Sequence, residues 1–141
     1  MKIAFLKYCI LLFAFGSFFQ FVNAQENTIK NCDSYLSSGF VSDGQEYMAK
    51  LDENNKAKFY TTFYGGSHYR IIGCSDIKNL PMKITVYDLE KNLLFCNKDY
   101  NYSPYWDFTF TSTVDCLIEF EFDTETILKN EVLLLIGFKE K

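Results

Sequence analysis

The chain has 141 residues with 14 basic and 18 acidic side chains, which gives a net charge of −4 at pH 7. An acidic chain does not attract phosphate backbones, so this balance argues against nucleic acid as a partner. The length suits one domain with a single hydrophobic core. Aromatic residues make up 18% of the chain and only two prolines occur, a composition that favours β-structure.

The first 24 residues have the order of a secretory signal peptide. A positive region with two lysines comes first, an apolar run extends from Ile10 to Val22, and Ala24 supplies the small residue that signal peptidase reads. The competing interpretation is an uncleaved membrane anchor, which needs about 20 consecutive apolar residues. Gln20 and a Gly-Ser pair interrupt the run, so the pattern favours cleavage.

Cleavage of residues 1–24 would leave a more acidic domain. The segment holds two lysines, one cysteine and no acidic residue, so 12 basic and 18 acidic side chains would remain. We therefore predict an exported protein, periplasmic or extracellular, with no segment that spans a membrane after cleavage.

The cysteines that would remain are Cys32, Cys74, Cys96 and Cys116. An even number in an exported chain is typical of disulfides, and four cysteines can pair in three ways. The last three lie in predicted strands, where a free thiol packs like a small hydrophobic side chain. Disulfides and buried thiols therefore both fit the sequence. With one histidine and no CxxC pair in the chain, a structural zinc site is not expected.

The chain after the signal is predicted to begin with an N-terminal segment at residues 25–44 that precedes the sandwich. Ile29, Cys32, Tyr35 and Leu36 have helical spacing, so this segment is predicted as a short helix or as irregular structure. A turn signal, Ser-Asp-Gly, closes it.

Alternating apolar and polar residues predict strands over most of the remaining chain. The last of them is apolar on both faces, as expected of a central strand. The predicted strands are 45–51, 57–64, 68–74, 82–88, 93–96, 105–111, 115–122 and 131–138. This series predicts an all-β fold, an antiparallel β-sandwich of about eight strands with a jelly-roll-like topology, over residues 45–141.

Five stretches of this pattern stand out: Phe59, Phe63 to Gly66, Tyr69 to Ile71, Ile84 to Asp88, and Trp106 to Phe110. They resemble small exported bacterial β-sandwich proteins of unassigned function. More remotely, the chain is similar to the bacterial pre-peptidase C-terminal domain. The resemblance covers about residues 57–138, and it implies a jelly-roll-like sandwich that accompanies enzymes or binds surfaces without catalysis of its own. The chain departs from the family at residues 112–116 and 81–83, so no metal or ligand site is carried over.

The sequence offers little equipment for catalysis. His68 is the only histidine, so a Ser-His-Asp or Cys-His mechanism would have to use it. It follows a Gly-Gly-Ser turn at a strand start, where a partly exposed polar ring is common. Glu119 and Glu121 share a strand face about 7 Å apart, a separation compatible with a glycosidase pair. Outward Glu-x-Glu is also typical of a solvated sheet face. We therefore expect no catalytic residues and no enzymatic activity.

Calcium is the one ion with candidate ligands, and no cofactor is expected otherwise. Asp88, Asp99 and Asp107 fall near predicted loop ends, where carboxylate and carbonyl oxygens can hold calcium. They form no ordered ligand motif.

The most suggestive stretch for binding runs from Asp99 to Asp107 and contains three tyrosines and a tryptophan around a proline. Tyr100, Tyr102 and Tyr105 are predicted to form an open aromatic platform for sugar rings or for a partner protein. Trp106 shares the parity of the two phenylalanines that follow, which favours burial.

The expected function is a non-catalytic exported binding or accessory module that contacts a protein or glycan partner in the cell envelope. Two alternatives stay open. One is a small secreted hydrolase whose site is not identified, and the other is a peptidase inhibitor, which differs from the binding module only in its partner.

Overall fold

The computed structural model describes residues 32–36 and 39–139, so the predicted signal peptide at residues 1–24 lies outside the described residues. No helix in the described part of the chain is long and apolar enough to cross a membrane. Two short 3-10 turns, Ser34–Leu36 and Asn97–Tyr100, accompany nine strands in these residues. The strands are β1 Val41–Ser42, β2 Tyr47–Lys50, β3 Lys56–Phe63, β4 His68–Ser75, β5 Met82–Asp88, β6 Leu93–Cys96, β7 Tyr105–Thr109, β8 Val114–Phe122 and β9 Glu131–Lys139.

The strand pairs are nested, as in a long hairpin that has been rolled up. β2 pairs with β9, β3 with β8, β4 with β7 and β5 with β6, all antiparallel. Two further pairings, β4 with β9 and β5 with β8, join these pairs into two sheets. Sheet A has five strands (β2-β9-β4-β7, with β1 also paired to β9), and sheet B has four (β3-β8-β5-β6). This is the topology of a jelly roll, and it confirms the predicted fold class.

The predicted strands correspond to β2 to β9 with ends that agree within two residues. β1 is an additional strand that the sequence pattern did not predict, and it lies inside the N-terminal segment 25–44. It pairs with the end of β9, through Val41 opposite Phe138 and Ser42 opposite Gly137. A strand of two residues has no alternation to detect, so sequence pattern could not reveal it.

The hydrophobic core lies between the two sheets. Phe63, Ile71, Ile118 and Phe120 are among its fully buried side chains. Gly73 faces this core from β4, and a Cβ atom there would come within 3 Å of side-chain atoms from sheet B. The missing side chain therefore lets the two sheets approach closely at this point.

β9 is buried on both faces, which confirms that it is a central strand. Leu134 points to the core, whereas Leu133 and Leu135 point to the outer face of sheet A. The described residues before β1, here called the lead-in (32–36, 39 and 40), cover that outer face. Leu36 packs so closely that a Cβ atom on Gly137 would lie 2.7 Å from its Cδ2 atom.

A disulfide between Cys32 and Cys74 holds the lead-in on sheet A, with 5.9 Å between the two Cα atoms. Cys96 and Cys116 are free thiols. Burial raises the pKa of the Cys116 thiol to about 11, and the nearby charges of Asp88 and Asp115 act in the same direction. The sequence fitted both disulfides and buried thiols, and the structure has one disulfide and two free thiols.

Arg70 ties the lead-in to β7 across the outer face of sheet A. Its Nε and Nη2 atoms donate to the two carboxylate oxygens of Asp107 at 2.6 and 2.8 Å, and Nη1 donates to the Tyr35 carbonyl at 2.8 Å. The guanidinium carbon lies 4.3 Å from the centre of the Phe40 ring and 4.6 Å from that of Tyr105. The bidentate pair and the two rings satisfy a cation that is only 7% exposed.

We predict that the double variant Cys32→Ser/Cys74→Ser loses about 4 kcal/mol of unfolding free energy, because the disulfide closes a loop with a sequence separation of 42. Chemical denaturation of the variant and the parent protein measures the difference. Cys96→Ser is the matched control, since it removes a half-buried free thiol and should cost less than about 1 kcal/mol. Equal losses in the two variants would contradict the structural role of the disulfide.

Candidate binding cleft

A cleft of about 600 Å³ opens at the end of the sandwich where β4 ends and β5 and β7 begin. The lead-in, the β4–β5 loop and the β6–β7 connection surround it. Its lining consists of Tyr35, Gly73, Cys74, Ser75, Asp76, Ile77, Lys78, Leu80, Pro81, Met82, Tyr102, Pro104 and Phe122. The site is therefore built from segments that are distant in sequence.

Asn97 anchors the β6–β7 side of the cleft. Its side chain is fully buried, its Nδ2 atom donates to the carbonyls of Met82 and Ser103, and its Oδ1 atom accepts from the Ile84 N–H. These three bonds use both N–H groups and one lone pair of the oxygen, and they attach the connection to β5. The Gly73 N–H also donates to the Pro104 carbonyl, at 2.8 Å.

The opposite wall depends on the lead-in, because Tyr35 reaches the cleft from there. Cys74 of the disulfide lines the cleft itself, and Arg70 holds the Tyr35 carbonyl. The ring of Tyr35 also packs against that of Tyr105, with 5.5 Å between ring centres. The position of this wall is therefore fixed by a covalent bond and a buried cation.

Polar groups at the rim give the cleft hydrogen-bonding capacity. Asp76 accepts a bond from Asn130 through Oδ1, and the Ser75 hydroxyl accepts the N–H of Ile77. The exposed ammonium of Lys78 has no hydrogen-bond or ion-pair partner among the described residues. The cleft thus offers apolar walls together with a carboxylate, a hydroxyl and an ammonium group.

Tyr102 is held at the cleft in a strained backbone conformation. Asn101 and Tyr102 are consecutive left-handed residues, with φ of 54° and 53°. Asparagine tolerates this region, but for tyrosine it costs roughly 1–2 kcal/mol. The Tyr102 N–H donates to the Asn97 carbonyl, which stabilises the turn. Strain of this kind concentrates at functional sites.

The structure places the three predicted binding tyrosines in three different environments. Tyr102 lines the cleft. Tyr100 is 48% exposed and packs on Trp106, with 4.1 Å between ring centres, at the seam between the sheets. Tyr105 lies on the outer face of sheet A, over Arg70. The left-handed turn and the alternation of β7 separate them, so they do not form one continuous platform.

Glu119 and Glu121 belong to a ladder of ion pairs on the outer face of sheet B. Lys56 lies 3.1 Å from Glu119 and 3.5 Å from Glu121, and Lys83 also contacts Glu121. Burial alone would raise the pKa of Glu121, but the hydrogen bond and charge of Lys83 and the charge of Lys56 outweigh it and lower the pKa. A glycosidase acid needs a raised pKa, so this arrangement fits a structural role better.

Among the described residues, the environments of His68, the free thiols and Asp88 give no sign of a catalytic site. The Nδ1 atom of His68 lies 2.8 Å from the Thr109 hydroxyl, and both free thiols belong to the opposite sheet. The Asp88 carboxylate accepts two bonds from Asn92, which are the main cause of its lowered pKa.

The three calcium candidates lie in separate places. Asp107 pairs with Arg70 in sheet A, Asp88 ends a strand of sheet B, and Asp99 lies in the second 3-10 turn. The described residues contain no group of three or more histidine, cysteine or acidic side chains that could hold a metal ion.

No local sequence pattern marks Tyr35, Asp76 or Lys78 as binding residues. Their proximity follows from the pairing of Cys32 with Cys74, which is one of several pairings that the sequence allows. Knowledge of that pairing would have placed Tyr35 beside the β4–β5 loop.

We predict that Tyr102→Gly is more stable than Tyr102→Ala by roughly 1 kcal/mol, because glycine adopts a positive φ without a steric penalty. Both variants remove the ring, so they form a matched pair. Chemical denaturation compares their free energies of unfolding. A more stable alanine variant would show that the backbone at this position is not left-handed.

We predict that Glu121→Gln lowers the unfolding free energy at pH 7 by up to about 1 kcal/mol. Because the folded pKa of Glu121 lies below its usual 4.5, its contribution is present above that pH and is lost on further acidification. Denaturation at pH 7 and at lower pH should show the difference between variant and parent narrow below pH 4.5. Lys83→Gln should reproduce this behaviour, and a difference that widens in acid would contradict it.

No protein-family model matches the chain, and no curated protein sequence matches it.

Proposed function

We propose that this chain is a non-catalytic exported module that binds a glycan in the cleft between Tyr35 and Tyr102. The observation that carries the proposal is the composition of the cleft, which combines two tyrosines with Asp76 and Lys78 around a volume of about 600 Å³. Binding sites for small molecules have such volumes and combine apolar walls with a few polar groups.

The chemistry of a saccharide matches this lining. One face of a sugar ring presents C–H groups that pack on an aromatic ring, and the hydroxyls at its edge need donors and acceptors. Tyr35 and Tyr102 supply rings with hydroxyl groups, and Asp76 and Lys78 supply an acceptor and a donor. Both walls are held in place, so little ordering entropy is lost on binding. Jelly rolls also occur in lectin domains, which is support by analogy of fold.

The proposal that the module is non-catalytic is supported by the contacts that the candidate catalytic side chains make. His68 contacts Thr109, and Glu119 and Glu121 are paired with lysines. The proposal of a periplasmic or extracellular location rests on the signal-like residues 1–24, and the disulfide of the domain is compatible with an oxidising compartment. A surface-binding role also agrees with what the resemblance to the pre-peptidase C-terminal domain implies.

A protein partner is the second candidate, because one hairpin exposes several leucines. Leu89, Leu93 and Leu94 of the β5–β6 hairpin are 58%, 61% and 44% exposed. Exposed apolar patches of this kind are typical of protein-binding surfaces. A peptidase inhibitor would be one case of this candidate.

The test is binding of the chain from Gln25 onward to an array of envelope and plant oligosaccharides. We predict that Tyr35→Ala and Tyr102→Ala each weaken the binding of a positive glycan about tenfold, since a stacked ring contributes roughly 1 kcal/mol or more. Tyr64→Ala is the control, because Tyr64 is a tyrosine outside the cleft that is 64% exposed.

Unchanged affinity in both cleft variants would refute the proposed site. Capture of an envelope protein that is lost in Leu93→Ser, without binding to any glycan, would favour the second candidate.

A further inference from the structure

Asn101-Tyr102-Ser103 is the only Asn-x-Ser or Asn-x-Thr sequence in the chain. In exported proteins this sequence is the acceptor for N-linked glycosylation when the asparagine is accessible and the middle residue is not proline. Such a tripeptide is common by chance, so its placement in the fold decides whether it can act as an acceptor.

The fold presents Asn101 to solvent. It is an exposed residue that ends the second 3-10 turn, with φ of 54° and ψ of 35°, and its backbone N–H donates to the Asn97 carbonyl. Its carboxamide makes no hydrogen bond with other described residues. The turn is therefore held without the carboxamide of Asn101, which is available for modification.

Two other asparagines are buried, and their carboxamides are hydrogen-bonded. Asn97 is fully buried and Asn55 is 3% exposed, and each uses both its Nδ2 and Oδ1 atoms for hydrogen bonds to the backbone. Neither is followed two residues later by serine or threonine. The accessible carboxamide of Asn101 and the acceptor sequence thus coincide at one position.

We propose that Asn101 is an N-glycosylation site. The donor class is an oligosaccharide linked to a lipid pyrophosphate, and a membrane-bound oligosaccharyltransferase carries out the transfer. The Nδ2 atom of Asn101 forms a bond to the anomeric carbon, and the bond from that carbon to the pyrophosphate oxygen breaks. The lipid pyrophosphate leaves with the electron pair, and the amide nitrogen loses one proton to a base. No oxidation or reduction occurs.

This inference rests on the export proposed above, and it is independent of glycan binding in the cleft. The modified residue directly precedes Tyr102, so the attached saccharide is anchored at the loop that lines the cleft. Protein for binding measurements should therefore be prepared both with and without this modification.

The experiment uses the full chain produced in its native host and purified from the exported fraction. Trypsin releases the peptide between Lys98 and Lys129, in which Asn101 is the single asparagine. Mass spectrometry with fragmentation should find a mass increase that corresponds to sugar residues on Asn101. Asn101→Gln and Ser103→Ala should abolish the increase, and Ser103→Thr should retain it, since threonine preserves the acceptor sequence.

An exported chain that begins at Gln25 and carries only the unmodified peptide would overturn the inference and leave the proposed export intact. A mass increase that persists in Asn101→Gln would also overturn it, because the sugar would then be on a hydroxyl group. A chain that keeps residues 1–24 and stays inside the cell would overturn the proposed export and this inference together.

Discussion

Strand β9 lies in the middle of sheet A, and five consecutive side chains from Val132 to Ile136 are buried. Sheet B covers only the inner face of this strand, so the outward Leu133 and Leu135 need a second cover. The lead-in supplies it, with the disulfide at one end and the Phe40–Arg70 contact near the other. The double-sided burial of β9 therefore explains why a short segment before the first strand is fixed on the outside of a sandwich.

The same cover creates the cleft. Because the disulfide joins the lead-in to the end of β4, Tyr35 is brought to the loops that follow β4 and precede β7. The opposite wall is independent of the lead-in, since Asn97 holds the β6–β7 connection by three hydrogen bonds. A site with both walls fixed before a ligand arrives is preorganised, and this supports a binding role without large rearrangement.

Most of the fold could be predicted from the sequence because its strands alternate strongly, as in β8, where every second residue from Cys116 to Phe122 is buried. The cleft could not be predicted, because it depends on contacts between distant segments. Asp107 looked like a loop-end calcium ligand, but its partner Arg70 is 37 residues away. Tyr100, Tyr102 and Tyr105 looked like one platform, but a left-handed turn at Asn101 sends them to different surfaces. Local pattern specifies which residues form strands, whereas the position of a loop side chain depends on its long-range partners.

The proposed ligand site lies between the lead-in and the β6–β7 connection. The most direct measurement is an NMR titration of the isotope-labelled chain from Gln25 onward with oligosaccharides released from the envelope of its host. We predict that the backbone amide signals of Tyr35, Ser75 to Lys78 and Tyr102 shift in a saturable manner. The signals of the ion-pair ladder on sheet B (Lys56, Lys83, Glu119 and Glu121) should stay in place. Shifts confined to the outer face of sheet B or to the β5–β6 hairpin would contradict this prediction.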